Sequence, residues 1–109
     1  MIMDREEFKS LVDVLISELD RDLGRHSLYI YQRDLFEQLS YEKWALKELL
    51  EYVSKRQGGL YSAVEEFCKQ MNEYSCRNKK TSRMFSAAYD AAMNILDVII
   101  KEEEIANGR

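Results

Sequence analysis

Apolar side chains recur along this chain every three or four residues, in four separate runs, which is the period of amphipathic helices. In the first run Phe8, Leu11, Val12, Leu15, Leu19 and Leu23 share one face, widened by Val14 and Ile16. Asp4 with Glu7 three residues on makes a variant of the capping box, and Glu6 and Glu7 suit the positive end of a helix dipole. Gly24 is placed as the left-handed residue that ends the helix. The spacing predicts a helix over residues 5–23 with an acidic outer side of Asp13, Glu18, Asp20 and Asp22.

The second run, residues 27–57, contains no Gly and no Pro. At about 100° per residue, Leu28, Leu35, Leu39, Leu46, Leu49, Leu50 and Val53 keep one phase. One long helix over residues 28–57 is expected, capped by Ser27 and stopped by Gly58-Gly59. Two in-register pieces joined near Ser40 are the alternative. The other side of this helix is polar only in part: Ile30, Tyr41, Trp44 and Tyr52 share it with Glu37, Glu48 and Lys55. Trp44 points almost directly away from the leucine stripe. Large apolar side chains tend to be buried, so either a neighbouring helix or a partner is expected to cover this second face. Trp and Tyr are favoured anchors in the latter case.

In the third run, Ser62 with Glu65 reads as a capping box, and Val64, Phe67, Cys68, Met71 and Ser75 follow helical spacing, giving a helix over about residues 61–76. The fourth predicts a helix over residues 82–105. Phe85, Ala88, Tyr89, Ala92, Leu96, Ile99 and Ile100 form its core stripe, and Met84, Ala87, Ala91, Met93, Ile95 and Val98 make it apolar round much of its circumference. Such a helix is central or faces two neighbours. Its small residues 87, 88, 91 and 92 permit close approach of another helix. Asp90 and Asp97 mark its wet side. Glu102, Glu103 and Glu104 oppose the dipole at its end, where fraying is expected.

Four such helices with short connections predict an all-α fold, a small antiparallel four-helix bundle, as one domain over residues 1–109. Composition agrees. Of 109 residues, 46% are hydrophobic, enough for a core; there is no Pro and there are four Gly, as short connections require. Charged residues make up 33%, and no apolar run approaches the roughly 20 residues needed to cross a bilayer. The start, Met-Ile-Met-Asp-Arg-Glu-Glu, lacks the basic-then-apolar order of a signal peptide, so a cytoplasmic location is expected.

Candidate chemistry is sparse. Cys68 and Cys76 stand eight residues apart on one predicted helix, about 12 Å along its axis, too far for a disulfide. Free thiols in a reducing compartment are expected. His26, the one histidine, falls in the turn between the first two helices, remote from both cysteines, so neither a metal nor another cofactor is expected. No nucleophile–base constellation and no phosphate-cradling glycine loop is present, and the chain is not expected to be an enzyme.

Two functions fit the pattern. The first is a protein-interaction module, homodimeric in one form, that uses Ile30, Tyr41, Trp44, Glu48 and Tyr52. The second is nucleic-acid or regulatory binding at the basic turn between the last two helices. There Arg77, Lys79, Lys80 and Arg83 surround a helix start able to hold an anion, with Asn78 as the expected left-handed residue and Thr81 or Ser82 as cap. The same cations also suit the end of the preceding helix. The net charge of −4, together with Glu65, Glu66 and Glu73 on the third helix, ranks nucleic acid second.

Overall fold

The computed structural model describes residues 3–24 and 33–106. The Ser27 cap, Leu28, Ile30, the His26 turn and the last three residues lie outside the described residues. Among the described residues there are four helices: α1 (Arg5–Leu23), α2 (Arg33–Lys55), α3 (Leu60–Arg77) and α4 (Ser82–Ala106). Helix α2 runs through Ser40 without a break, so the two-piece alternative is not what forms.

The helices alternate in direction as an antiparallel bundle. Arg5 at the start of α1 reaches Val53, Arg56 and Gly58 at the end of α2, while Asp20 near the end of α1 pairs with Lys43. Tyr52 packs on Phe67, and Tyr74 on Phe85, so α3 returns along α2 and α4 returns along α3. Helix α4 packs extensively against both α3 and α2, and α1 rests chiefly on α2. The expectation for an almost wholly apolar α4 is met: it faces two neighbours, and Ala87, Ala88, Ala92, Ile95, Leu96 and Ile99 are buried.

The core joins Phe8 and Val12 of α1, Leu46, Leu49 and Val53 of α2, and Val64, Phe67 and Met71 of α3 to the buried face of α4. It is less complete than the stripes suggest. Leu35 is 42% exposed, although it shares the phase of Leu46 and Leu49. The Asp20–Lys43 pair sets the end of α1 level with the middle of α2, so no described part of α1 runs beside the first turns of α2. Val14, expected to widen the face of α1, is 55% exposed.

Helix ends depart from expectation in three places. Asp4 does cap α1, its Oδ1 accepting the Glu7 N–H at 2.8 Å. Gly24, however, stays right-handed (φ −75°), because its N–H bonds the carbonyls of Asp20 and Arg21 and simply tightens the last turn. Helix α3 begins at Leu60 with Gly59 as an N-cap that offers no side chain. Leu60 and Tyr61 pack against the core, which draws the helix upstream of Ser62, and Glu65 pairs with Lys69 instead of capping. Asn78 is extended (φ −135°), not left-handed; its Oδ1 accepts the Lys80 N–H at 2.9 Å, and this side-chain turn replaces the expected backbone one. The left-handed region is used at Gly58 (φ +107°), where the chain turns from α2 towards α3.

Both thiols are free, Cys68 buried and Cys76 exposed. Burial, the largest influence on it, pushes the Cys68 thiol up to about 11. At pH 7.5 a disulfide reagent such as DTNB is expected to modify Cys76 readily and Cys68 only after denaturation; equal rates for both thiols in the native chain would contradict this burial. Between about 9 and 11 the folded state keeps a proton on Cys68 that the unfolded chain has released. Stability therefore falls as pH rises through that window, and Cys68→Ala should flatten the fall.

Candidate functional site: an aromatic groove between α2 and α3

Residues 44, 48 and 52 stand four apart, so Trp44, Glu48 and Tyr52 form one row along α2. On α3, Phe67, Met71 and Tyr74 form a facing row at three- and four-residue spacing. These two helices touch each other less than either touches α4. The space left between the rows is an open groove of about 340 Å³, closed at one end by Phe85 from the first turn of α4.

Trp44 and Phe85 lie 5.9 Å apart at 71°, edge to face, and Tyr74 lies 5.2 Å from Phe85 at a tilted 51°. One ring from each of three helices thus meets at this end. At the other end Tyr52 lies 5.5 Å from Phe67 at 64°. Such pairs add about 0.5–1.5 kcal/mol each beyond their buried area. The Tyr52 hydroxyl accepts from Gln70 Nε2 at 3.2 Å, and the Arg56 guanidinium sits 4.5 Å above its ring. Burial, outweighing the nearby Arg56 charge, raises the Tyr52 phenol above its ordinary 10 and keeps it neutral. On the rim Lys55 pairs with Glu51 at 2.7 Å, whereas Glu48 forms no ion pair among the described residues.

The sequence-nominated residues divide accordingly. Trp44, Glu48 and Tyr52 come together in the groove. Trp44 and Tyr52 are half-buried there, covered in part by Phe85 and Phe67, so a neighbouring helix supplies some of the cover that the second face of α2 needs. Tyr41 is half-buried and away from the groove lining, and Ile30 lies outside the described residues. Tyr74, 39% exposed, is a groove residue that the sequence reading passed over. Its signal was present: it stands seven residues after Phe67, hence on the same face.

No family model, curated protein or solved structure matches this chain. Its site therefore rests on its own geometry.

The basic turn is partly neutralised. Arg77 donates to Glu73 at 2.6 Å. Arg83 donates to Glu37 at 3.0 Å and lies 3.5 Å from Asp34, tying the start of α4 to the start of α2. Lys79 and Lys80 are exposed and form no ion pair among the described residues. A wider cleft, about 600 Å³, opens between the first turns of α1 and the last of α2. Its lining mixes Arg5, Lys9 and Lys47 with Glu6 and Glu51, and its one aromatic ring, Phe8, is already buried in the core. Among the described residues no helix is long and apolar enough to cross a membrane.

Proposed function

We propose that this chain is a non-enzymatic, cytoplasmic protein-interaction module that receives a partner's apolar side chains in the aromatic groove between α2 and α3. A second copy of the chain is the simplest such partner. The observation that carries the reading is the meeting of Trp44, Tyr52, Tyr74 and Phe85 around an open groove with Glu48 at its margin. Rigid, half-exposed aromatic side chains bring large contact area at little entropic cost and are the residues that dominate binding energy at interfaces. The basic turn supports its alternative less well, because carboxylates already hold two of its four cations, and phosphate binding depends on cations free to replace counterions.

Molar mass by light scattering tests this on the wild type, Tyr74→Ala and Glu48→Lys in parallel. Both changed side chains are exposed, so the fold is expected to survive. The expected result is twice the chain's 12.9 kDa for the wild type and a folded monomer for each variant. A wild-type monomer removes the homodimer form. A dimer that neither substitution weakens removes the groove as the contact surface.

A further inference from the structure

The aromatic groove between α2 and α3 differs in kind from the other openings of the bundle. Its apolar lining is five rings, Trp44, Tyr52, Phe67, Tyr74 and Phe85, and the thioether of Met71, with no Leu, Ile, Val or Ala among the described lining residues. Helices α1 and α4 leave a groove of about 310 Å³ that is walled by leucines, Ile95 and Val98, with Glu18, Asp22 and Glu42 beside them and no ring among the described lining residues. The cleft between α1 and the end of α2 has Leu50, Val53 and the single ring of Phe8. Aliphatic walls suit an aliphatic chain. Ring faces carry negative potential and a thioether is polarizable, so a wall made wholly of these favours a soft cation over a neutral group of the same shape.

The molecule already uses one of these rings in this way, since the Arg56 guanidinium stands 4.5 Å over Tyr52. The opposite end of the groove has the same chemistry without a cation of its own. There Phe85 lies 5.9 Å from Trp44 and 5.2 Å from Tyr74, at 71° and 51°, so the three rings are not stacked and turn their faces in different directions. Glu48 stands one turn of α2 from Trp44 and lines the same space. Cations near this end are directed elsewhere. Lys43 pairs with Asp20 on α1, Lys47 lines the cleft against α1, Arg77 pairs with Glu73, and Arg83 with Glu37. Lys55, the one cation among the described lining residues, is eleven residues from Trp44, about 16 Å along α2, and donates to Glu51 at 2.7 Å. Glu51, and Glu48 after it, raise the Lys55 pKa and hold its charge at that far end.

We propose that the Trp44–Tyr74–Phe85 end of the groove binds the methylated ammonium group of a lysine side chain on a partner protein. This rests on the reading of the groove as a partner-binding surface, but not on a second copy being the partner. The methyl groups meet the ring faces, and the charge they carry lies within reach of Glu48. The lysine stem runs along the groove floor over Met71. A plain ammonium is strongly hydrated and loses more on entering a half-buried site, so methylation favours entry.

The test reads the fluorescence of Trp44, the chain's one tryptophan, which stands in the proposed site. Three peptides of one short sequence are titrated into the full chain: one with trimethyllysine, one with carbon in place of its quaternary nitrogen, and one with plain lysine. The trimethyllysine peptide should bind about ten-fold tighter than either of the others, as a partly desolvated cation on several rings requires. Tyr74→Ala should weaken it about five-fold and Glu48→Gln about three-fold. Both side chains are exposed, and an unchanged far-UV CD spectrum verifies that the variants fold. Equal binding of the neutral isostere overturns the ammonium assignment while leaving the groove a binding surface. Free tetramethylammonium that binds as tightly as the peptide overturns the assignment to a protein side chain. No Trp44 response to any peptide, or no loss in either variant, overturns the proposal as well. The light-scattering comparison of the wild type with Tyr74→Ala then decides separately whether the groove is a contact surface at all.

Discussion

Leu49→Ala is expected to lower the unfolding free energy by about 2–5 kcal/mol, the largest single loss among the substitutions considered. Leu49 is fully buried on the core face of α2 and belongs to the cluster to which all four helices contribute. Removing its three outer carbons forfeits their transfer free energy and leaves a cavity. Helices locked by neighbours on several sides close such a cavity poorly. A domain of this kind is stable by only about 5–15 kcal/mol, so the loss shows directly in a urea midpoint. Leu35→Ala is the internal control. It lies in the same sequence stripe but is 42% exposed, and a change within about 1 kcal/mol is expected. Equal losses at the two positions would mean that the first turns of α2 are packed as tightly as its middle.

Arg5→Ala is expected to cost about 1–2 kcal/mol, a large effect for a side chain that is not buried. The Arg5 guanidinium donates to the Val53 carbonyl at 2.6 Å and to the Arg56 and Gly58 carbonyls at 2.9 Å each. These carbonyls lie at the end of α2 and just beyond it, where the dipole favours a cation; the Val53 carbonyl also accepts the Arg56 N–H at 3.2 Å. Hydrogen bonds to a charged group contribute about 1.5–3 kcal/mol when well shielded, and two of these three are exposed, which lowers the sum. The fork also joins positions about fifty residues apart in sequence, fixing how α1 docks on α2. Arg5→Lys keeps the charge but not the planar fork, and should recover less than half of the loss. Chemical denaturation of the three proteins measures this. Full recovery in the lysine variant would show that charge near the dipole matters and geometry does not.

The same contact shows what could not be read from the pattern of residues. Arg5 stands in the first turn of α1, where the dipole disfavours a cation. Nothing local says that the end of α2 comes to lie beside it. Trp44 and Tyr52 were legible as an anomaly, because they break the polar side of a helix that already has one apolar stripe. That Phe85 and Phe67 lie against them, and that Tyr74 completes the groove, depends on how α3 and α4 are placed. The α1–α4 groove was less legible still. Its leucines read as core and its acids as solvated surface, and both descriptions hold until one sees that the two helices do not close.

What the sequence by itself determined was the local order: four helices, their phases, the Asp4 cap, the free thiols and the double-sided character of α2 and α4. Periodicity and capping are short-range effects, settled within a turn or two of chain. The tertiary structure alone decided which stretches of each stripe are buried, which pairs of helices meet closely and which leave grooves, and where Arg5 and Arg83 find their partners. Those outcomes depend on the relative height and spacing of whole helices. A chain encodes that placement through many weak contacts distant in sequence, and no single residue pattern displays it.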